Sequence, residues 1–263
     1  MKYAYVTTNL IDLWAEPRYN SERASQLLFA ELVTWADEQD GFARVRQVDG
    51  YTGWVDARFL QGIDCEAYEK YGRAATWVVS AVQTPIMGVR KGVPMAPHYL
   101  YHGTRILIKR SRSLWSKGLL PDEAVFLVKS TAVAPSPVKS VGLVAKIVRE
   151  SHKFLGVPYL WGGVSPAGFD CSGFVRAVFG RFGVYLPRDT KDQINAGSPV
   201  TRDEVRAGDL LFFKRHVGIA LDNKRLIHAS LAGGGVRINS LDANDPDYRA
   251  DLGRDFNQAR RVL

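Results

Sequence analysis

Residues 158–174, PYLWGGVSPAGFDCSGF, constrain this chain more than any other stretch. A loop crowded with glycines and aromatics runs straight into apolar residues at helical spacing, Phe174, Val175, Val178, Phe179 and Phe182. That spacing predicts a buried helix, ended by Gly183. Cys171 then falls in the first turn, where free backbone N–H groups and the helix dipole favour negative charge. Such a position is expected to lower a thiol pKa from roughly 8.5 to about 3.5–7.5, giving a thiolate nucleophile. A cysteine in apolar surroundings is otherwise a small core residue, so a catalytic role needs a base elsewhere in the chain.

Two histidines supply one. His216 opens the β-like run HVGIAL and His228 lies in LIHAS, with Asp222, Asn223 and Lys224 between the runs. A three-residue loop pairs Leu221 with Arg225 and sets Gly218 against His228. His216 and His228 then share one sheet face as diagonal neighbours, roughly 7–8 Å apart at the backbone. A two-residue loop would put them on opposite faces. In the expected site His216 takes the thiol proton and later returns it to the leaving amine. His228 orients the His216 ring and fixes its tautomer.

Residues 1–60 read as all-β, with short runs at Tyr3–Thr7, Gln26–Leu28, Leu32–Trp35, Phe42–Val48 and Gly53–Val55 and turns at Asp40–Gly41 and Asp49–Gly50. Such spacing suggests a small barrel. Residues 61–74 read as a linker or short helix. Residues 75–134 are β-rich again, around a turn at Arg90, Lys91 and Gly92, and suggest a second barrel. The Pro/Ser segment Val133–Ser140 reads as a linker. Beyond it Val141, Val144, Ala145, Val148 and His152 follow helical spacing. LPRDTKDQI starts another helix, with Thr190 and Gln193 spaced as a capping box. Strands are expected at Asp209–Phe213, His216–Leu221, Arg225–Ala229 and Val236–Ile238. Helices followed by antiparallel strands indicate an α+β domain.

The charge, +8 over 263 residues, is scattered, with no basic helix or run suited to a nucleic-acid groove. No apolar run approaches a membrane span, so neither nucleic acid nor membrane is an expected partner. His98 and His102 stand four apart, but two further zinc ligands at suitable spacing are missing, so no metal is expected. Nor is a cofactor. The only other cysteine, Cys65, is expected to be a free, half-buried thiol. The start, MKYAYVTTNLIDLW, lacks the apolar block of a secretory signal, so a cytoplasmic location is expected, or an extracellular or periplasmic one if a leader has been removed.

The segments YLWGG, FDCSGF, LPRDTKDQ, AGDLLFF, HVGIAL and LIHAS together resemble the NlpC-type papain-like cell-wall cysteine peptidases, from about Val141 to the end. The segments NLIDLWAEP and DGFARVRQVDGYTGWVDARFL resemble a bacterial SH3-like domain, and the whole chain resembles the YkfC-type subgroup. The resemblance implies an α+β papain-like domain at 135–263. A first SH3-like barrel at 1–60 and a linker with a second, divergent barrel at 61–134 would precede it.

The resemblance also implies roles. Cys171 would be the nucleophile, His216 the base and His228 the third member. Tyr159 would stand near the oxyanion, with the Cys171 N–H as the other donor, and Trp161 would wall the pocket. Asp170, Ser172, Asp189 and Thr190 match substrate-binding positions; the subgroup often carries serine where Thr190 stands. Glu16 and Tyr51 match contacts to the substrate amine, where a carboxylate shielded from water would bind an ammonium and reject a blocked one.

The implied activity is cleavage of the γ-D-glutamyl bond to L-lysine or meso-diaminopimelate in murein peptides with a free N-terminal L-alanine. Release of L-Ala-γ-D-Glu by a monomeric enzyme would serve cell-wall recycling. Two alternatives stand beside it: a secreted endopeptidase on intact peptidoglycan stem peptides, and a non-catalytic wall-binding protein.

Overall fold

The computed structural model describes residues 2–90, 93–94, 98–110, 114–136 and 142–263. Lys91 and Gly92 of the expected turn, residues 137–140 of the expected linker and Val141 lie outside these. Two units divide the chain, Met1–Ser136 and Pro137–Leu263.

The first unit opens with β1 (Lys2–Val6), β2 (Leu10–Trp14), β3 (Arg23–Leu28), β4 (Leu32–Gln39), β5 (Phe42–Gln47), β6 (Thr52–Asp56) and β7 (Leu60–Ile63). Strands β2 and β7 were not foreseen. Alternation builds the sheet: in β5, Ala43, Val45 and Gln47 point inward while Arg44 and Arg46 face solvent. The β4–β5 hairpin turns on Asp40 and Gly41, both at positive φ, as a tight primed turn requires. The strand order is β3-β2-β6-β5-β4-β1-β7, and among the described residues no ladder joins β3 to β7. The sheet is SH3-like but not a closed barrel.

The segment expected as linker or short helix is α1 (Cys65–Ala74), capped by the Asp64 carboxylate on the Ala67 N–H. A second antiparallel sheet follows: β8 (Trp77–Val79), β9 (Gln83–Arg90), β10 (Val93–Pro94), β11 (Tyr99–Tyr101), β12 (Arg105–Arg110), β13 (Trp115–Leu119), β14 (Val125–Lys129) and β15 (Val133–Pro135). The two sheets share a core. Tyr5, Phe29 and Leu32 of the first pack with Tyr71 of α1 and with Val79, Leu100, Ile106 and Phe126 of the second. His102 is buried in this unit and His98 is exposed. Among the described residues no cluster could hold a metal.

The second unit contains α2 (Leu143–His152), the short ribbon β16 (Val164–Ser165) and β17 (Gly168–Phe169), α3 (Cys171–Gly180) and α4 (Thr190–Gln193). It continues through β18 (Ser198–Val200), β19 (Leu210–Phe213), β20 (His216–Ala220), β21 (Arg225–Ser230), β22 (Gly235–Ser240), α5 (Ala250–Asp255) and β23 (Phe256–Arg261). The sheet order is β18-β23-β19-β20-β21-β22. β18 and β23 were not foreseen.

Both faces of this sheet are covered, which is why LLFF in β19 is buried throughout. Leu210 and Phe212 meet Ile147 of α2 and Phe174, Val178 and Phe179 of α3. Leu211 and Phe213 meet Leu252 of α5. Phe154, Phe169 and Phe174 pack edge to face beneath the loop that precedes α3. Each such buried ring contributes about 1.5–3 kcal/mol, so the floor of the site is stiff. Helix α3 stops at Gly180 rather than running to Gly183. Phe182 lies beyond it, and Gly183, at positive φ, turns the chain after the helix has ended.

Candidate active site

The nucleophile is set by the loop that precedes it. Asp170 is the N-cap of α3, accepting from the Gly173 N–H at 2.6 Å and from the Gly162 N–H at 3.0 Å. Its carboxylate is also gripped by the buried Arg188, at 2.6 and 3.2 Å. Arg188 donates to the Ser172 hydroxyl as well, at 3.0 Å. A Cβ at Gly173 would sit 2.1 Å from the Gly163 carbonyl oxygen. Only glycine lets the loop lie this close to the helix start, which explains the composition of the stretch.

The side chains of Asp170 and Ser172, expected to meet substrate, take part in the hydrogen bonds that hold the loop to the head of α3. Arg188 was missed; the available signal was an arginine between the apolar run VYLP and the helix start at Asp189. The expected capping box is also corrected. The N-cap of α4 is Asp189, and the Gln193 amide donates to the carbonyls of Ser172 and Pro187, tying α4 to the head of α3.

The β20–β21 hairpin has the expected register, with Ile219 opposite Ile227, Ala220 opposite Leu226, and the Leu221 N–H bonded to the Arg225 carbonyl. The paired positions stop there, although both strands continue. In the stretch beyond, the Val217 N–H, with the Ser172 N–H, favours negative charge on the Cys171 sulfur. The Thr190 hydroxyl lies 3.6 Å from the sulfur, a contact to the nucleophile that was not foreseen.

His216 Nε2 lies 2.6 Å from His228 Nδ1, which places the two imidazoles in direct contact on one face. His228 is buried, and its Nε2 meets Asn239 Oδ1 at 3.0 Å. Asn239 was not foreseen. The available signal was its place two residues beyond Arg237, the position that pairs with His228. Among the described residues no hydrogen bond joins the sulfur to His216. Such contacts in ligand-free sites often tighten only when substrate arrives.

The expected acidic thiol is corrected. Burial, and then the Asp170 carboxylate, push the Cys171 thiol up, against the opposing hydrogen bonds from Thr190, Val217 and Ser172. Burial, and then His228, hold His216 down to about 3. Burial holds His228 to about 4. Both shifts favour a neutral thiol and a neutral imidazole at rest.

Burial and the neighbouring Cys171 and Asp170 push the Tyr159 phenol far above its usual range, so it remains a hydrogen-bond donor. The Cys171 N–H, in the first helical turn, has no acceptor within its helix. These two donors suit a developing oxyanion. Trp161 is exposed.

Within the first unit, Tyr51 donates to the Ala24 carbonyl at 3.4 Å. Glu16 is neither shielded nor unpaired: it is exposed and bound to Arg18 at 2.8 Å. An acidic side chain two residues from an arginine on an open turn finds its own counter-ion. Cys65 is free, as expected, but exposed rather than half-buried.

A model described as the NlpC/P60 family matches residues 156–251, and one described as the bacterial dipeptidyl-peptidase Sh3 domain matches residues 13–60. Dipeptidyl-peptidase 6 of Lysinibacillus sphaericus is 42% identical over 261 residues, 95% of each chain. The gamma-D-glutamyl-L-lysine dipeptidyl-peptidase of Bacillus subtilis is 40% identical over 124 residues, 44% of this chain and 41% of that protein. Murein DD-endopeptidase MepS/Murein LD-carboxypeptidase of Escherichia coli is 39% identical over 132 residues, 48% of this chain and 66% of that protein. The match thus spans less than two thirds of the length of the last two relatives. A solved NlpC/P60 family protein from Bacillus cereus has the same fold, with a TM-score of 0.82 at 20% identity over 99% of each chain. The chain belongs to the NlpC/P60 family of cysteine peptidases, with an N-terminal SH3-like domain.

Proposed function

We propose that this family member cuts the γ-D-glutamyl bond to L-lysine or meso-diaminopimelate in murein peptides with a free N-terminal L-alanine, releasing L-Ala-γ-D-Glu. The observation that carries the reading is the constellation of Cys171, the His216–His228 pair and the Tyr159 phenol in one unit. The name of the B. subtilis relative supports the choice of bond, and the L. sphaericus relative, aligned along nearly the whole chain, is named a dipeptidyl-peptidase.

In the first half-reaction the Cys171 proton passes to His216 as sulfur attacks the carbonyl carbon. The C=O electron pair moves to oxygen, where Tyr159 and the Cys171 N–H receive it. Collapse expels the amine of the diamino acid, which takes the proton from His216. Water, deprotonated by His216, then releases the dipeptide and restores the thiol.

The reading assigns Glu16 and Tyr51 to the free ammonium, which would replace Arg18 as the partner of Glu16. Asp170, Ser172, Asp189 and Thr190 are assigned to the substrate, and Trp161 to the pocket wall. Murein recycling in the cytoplasm by a monomer completes the proposal. Fractionation of cells and sedimentation of the protein test those two points.

The activity test is digestion of L-Ala-γ-D-Glu-L-Lys against the same peptide acylated at its amine. The expected preference for the free amine is at least about tenfold, and equal rates overturn it. Cys171→Ala should abolish turnover while the fold persists. Glu16→Ala should lower kcat/KM for the free peptide alone. The second reading, cleavage of stem peptides in intact wall, is favoured by the E. coli relative's name. Release of peptide from purified sacculi at a rate matching the free tripeptide would select it.

A further inference from the structure

The hydrogen bonds behind His216 form a line whose direction is set at its far end. The Asp247 carbonyl can only accept, so the Asn239 amide nitrogen, 3.0 Å away, donates to it. Asn239 Oδ1 is thereby turned to His228 Nε2, which must carry a hydrogen. A neutral imidazole has one N–H, so His228 Nδ1 is bare and accepts from His216 Nε2–H across 2.6 Å. The nitrogen of His216 left without a proton is then Nδ1.

We infer that Asn239 is a positioning residue of the reaction. It fixes which nitrogen of each imidazole holds the proton, and so leaves His216 Nδ1 bare for the proton of Cys171. Asp247 contributes through its backbone carbonyl alone. When the thiol proton arrives at Nδ1, the positive His216 ring still donates from Nε2 to His228 Nδ1. Nothing in the line has to reorient during the transfer.

Without Asn239, His228 is free to carry its hydrogen on Nδ1. It would then donate to His216 Nε2 and force the His216 hydrogen onto Nδ1, the wrong tautomer for a base. The charged groups facing the pair leave this logic intact. Arg249 and Asp251 face both rings and are bound to each other at 2.7 Å, and Arg237 faces His228. Burial keeps both rings neutral near pH 7, the state in which a single N–H per ring matters.

The inference deepens the proposed peptidase mechanism, but its first test needs no substrate. Nitrogen NMR of the full chain, with the rings assigned through His216→Gln and His228→Gln, should show protonated Nε2 and bare Nδ1 on both. A hydrogen on Nδ1 of either ring overturns it. Asn239→Leu should give mixed tautomers at His228 and lower kcat on the free-amine tripeptide by about 100-fold, with KM within about twofold; a wrong tautomer can cost up to about 10⁴.

Asn239→Asp keeps the acceptor, so it should hold the native nitrogen pattern and most of kcat, even though its carboxylate faces the Asp247 carbonyl and lowers stability. A merely structural Asn239 would make both variants lose rate in step with stability and leave the tautomers unchanged. If the tripeptide is not cleaved by the native chain, the substrate assignment has failed, and the nitrogen spectra and the alkylation rate of Cys171, read by mass spectrometry, still decide the inference. If Asn239→Leu does not fold, the native spectrum and the Asp variant decide it.

Discussion

A Cβ added to Gly218 would lie 3.0 Å from the Cβ of His228 across the β20–β21 hairpin. It would also meet Leu226 Cδ1 at 2.8 Å. The missing side chain is the space in which His228 turns toward His216. Gly218→Ala should therefore cost about 1–3 kcal/mol of stability through overpacking and lower kcat by displacing the His228 ring. Denaturant midpoints and turnover, measured together, check it; a variant with native stability and native kcat would refute the packing argument.

Arg188 neutralises the carboxylate that caps the nucleophile helix, and both partners are buried. Arg188→Met leaves Asp170 charged and unpaired at the head of α3. Breaking such a pair from one side costs about 3–5 kcal/mol. The loss should appear in urea denaturation of the full chain. Arg188→Met, Asp170→Asn should recover part of it, because the uncompensated charge is then gone.

The Thr190 hydroxyl supports negative charge on sulfur. Thr190→Val keeps the shape and removes the donor, so the thiol should move further up. Alkylation of Cys171 by iodoacetamide at pH 7 should slow by about 3- to 10-fold, since a tenfold change in thiolate corresponds to one pKa unit. Thr190→Ser should alkylate at the native rate. Peptide-resolved mass spectrometry separates this signal from the exposed Cys65.

Stability should fall on mild acidification. Unfolded imidazoles take up protons near pH 6.5, whereas His216 and His228 in the fold stay neutral down to about 3 and about 4. Below pH 6.5 the unfolded state binds more protons, so the free energy of unfolding drops as pH falls toward those values. The slope is up to about 1.4 kcal/mol per pH unit for each imidazole. Above pH 6.5 these groups contribute no pH dependence. Asp56, held down to about 2 by Arg58, acts in a lower window. Urea midpoints from pH 7.5 to 4.5 measure the slope, and His228→Gln should flatten it.

Much of this site was legible before any coordinates. Apolar spacing after Cys171 placed it at a helix head, and a three-residue turn set the hairpin register that unites His216 with His228. These are local properties, periodicity and turn length, and neighbouring residues suffice to fix them. The edge strand β18 and its neighbour β23 were not legible, because SPV and FNQARR carry little pattern and owe their pairing to the rest of the sheet.

What the sequence by itself determined is the identity and order of the reacting groups. Only the tertiary structure decided their electrical state. Whether Cys171 is acidic depends on burial and on Asp170, and whether Glu16 is unpaired depends on Arg18. Arg188 and Asn239 act on residues 18 and 11 positions away along the chain. Charge and hydrogen bonding act through space and through the water that packing excludes, so they are settled only when distant segments meet.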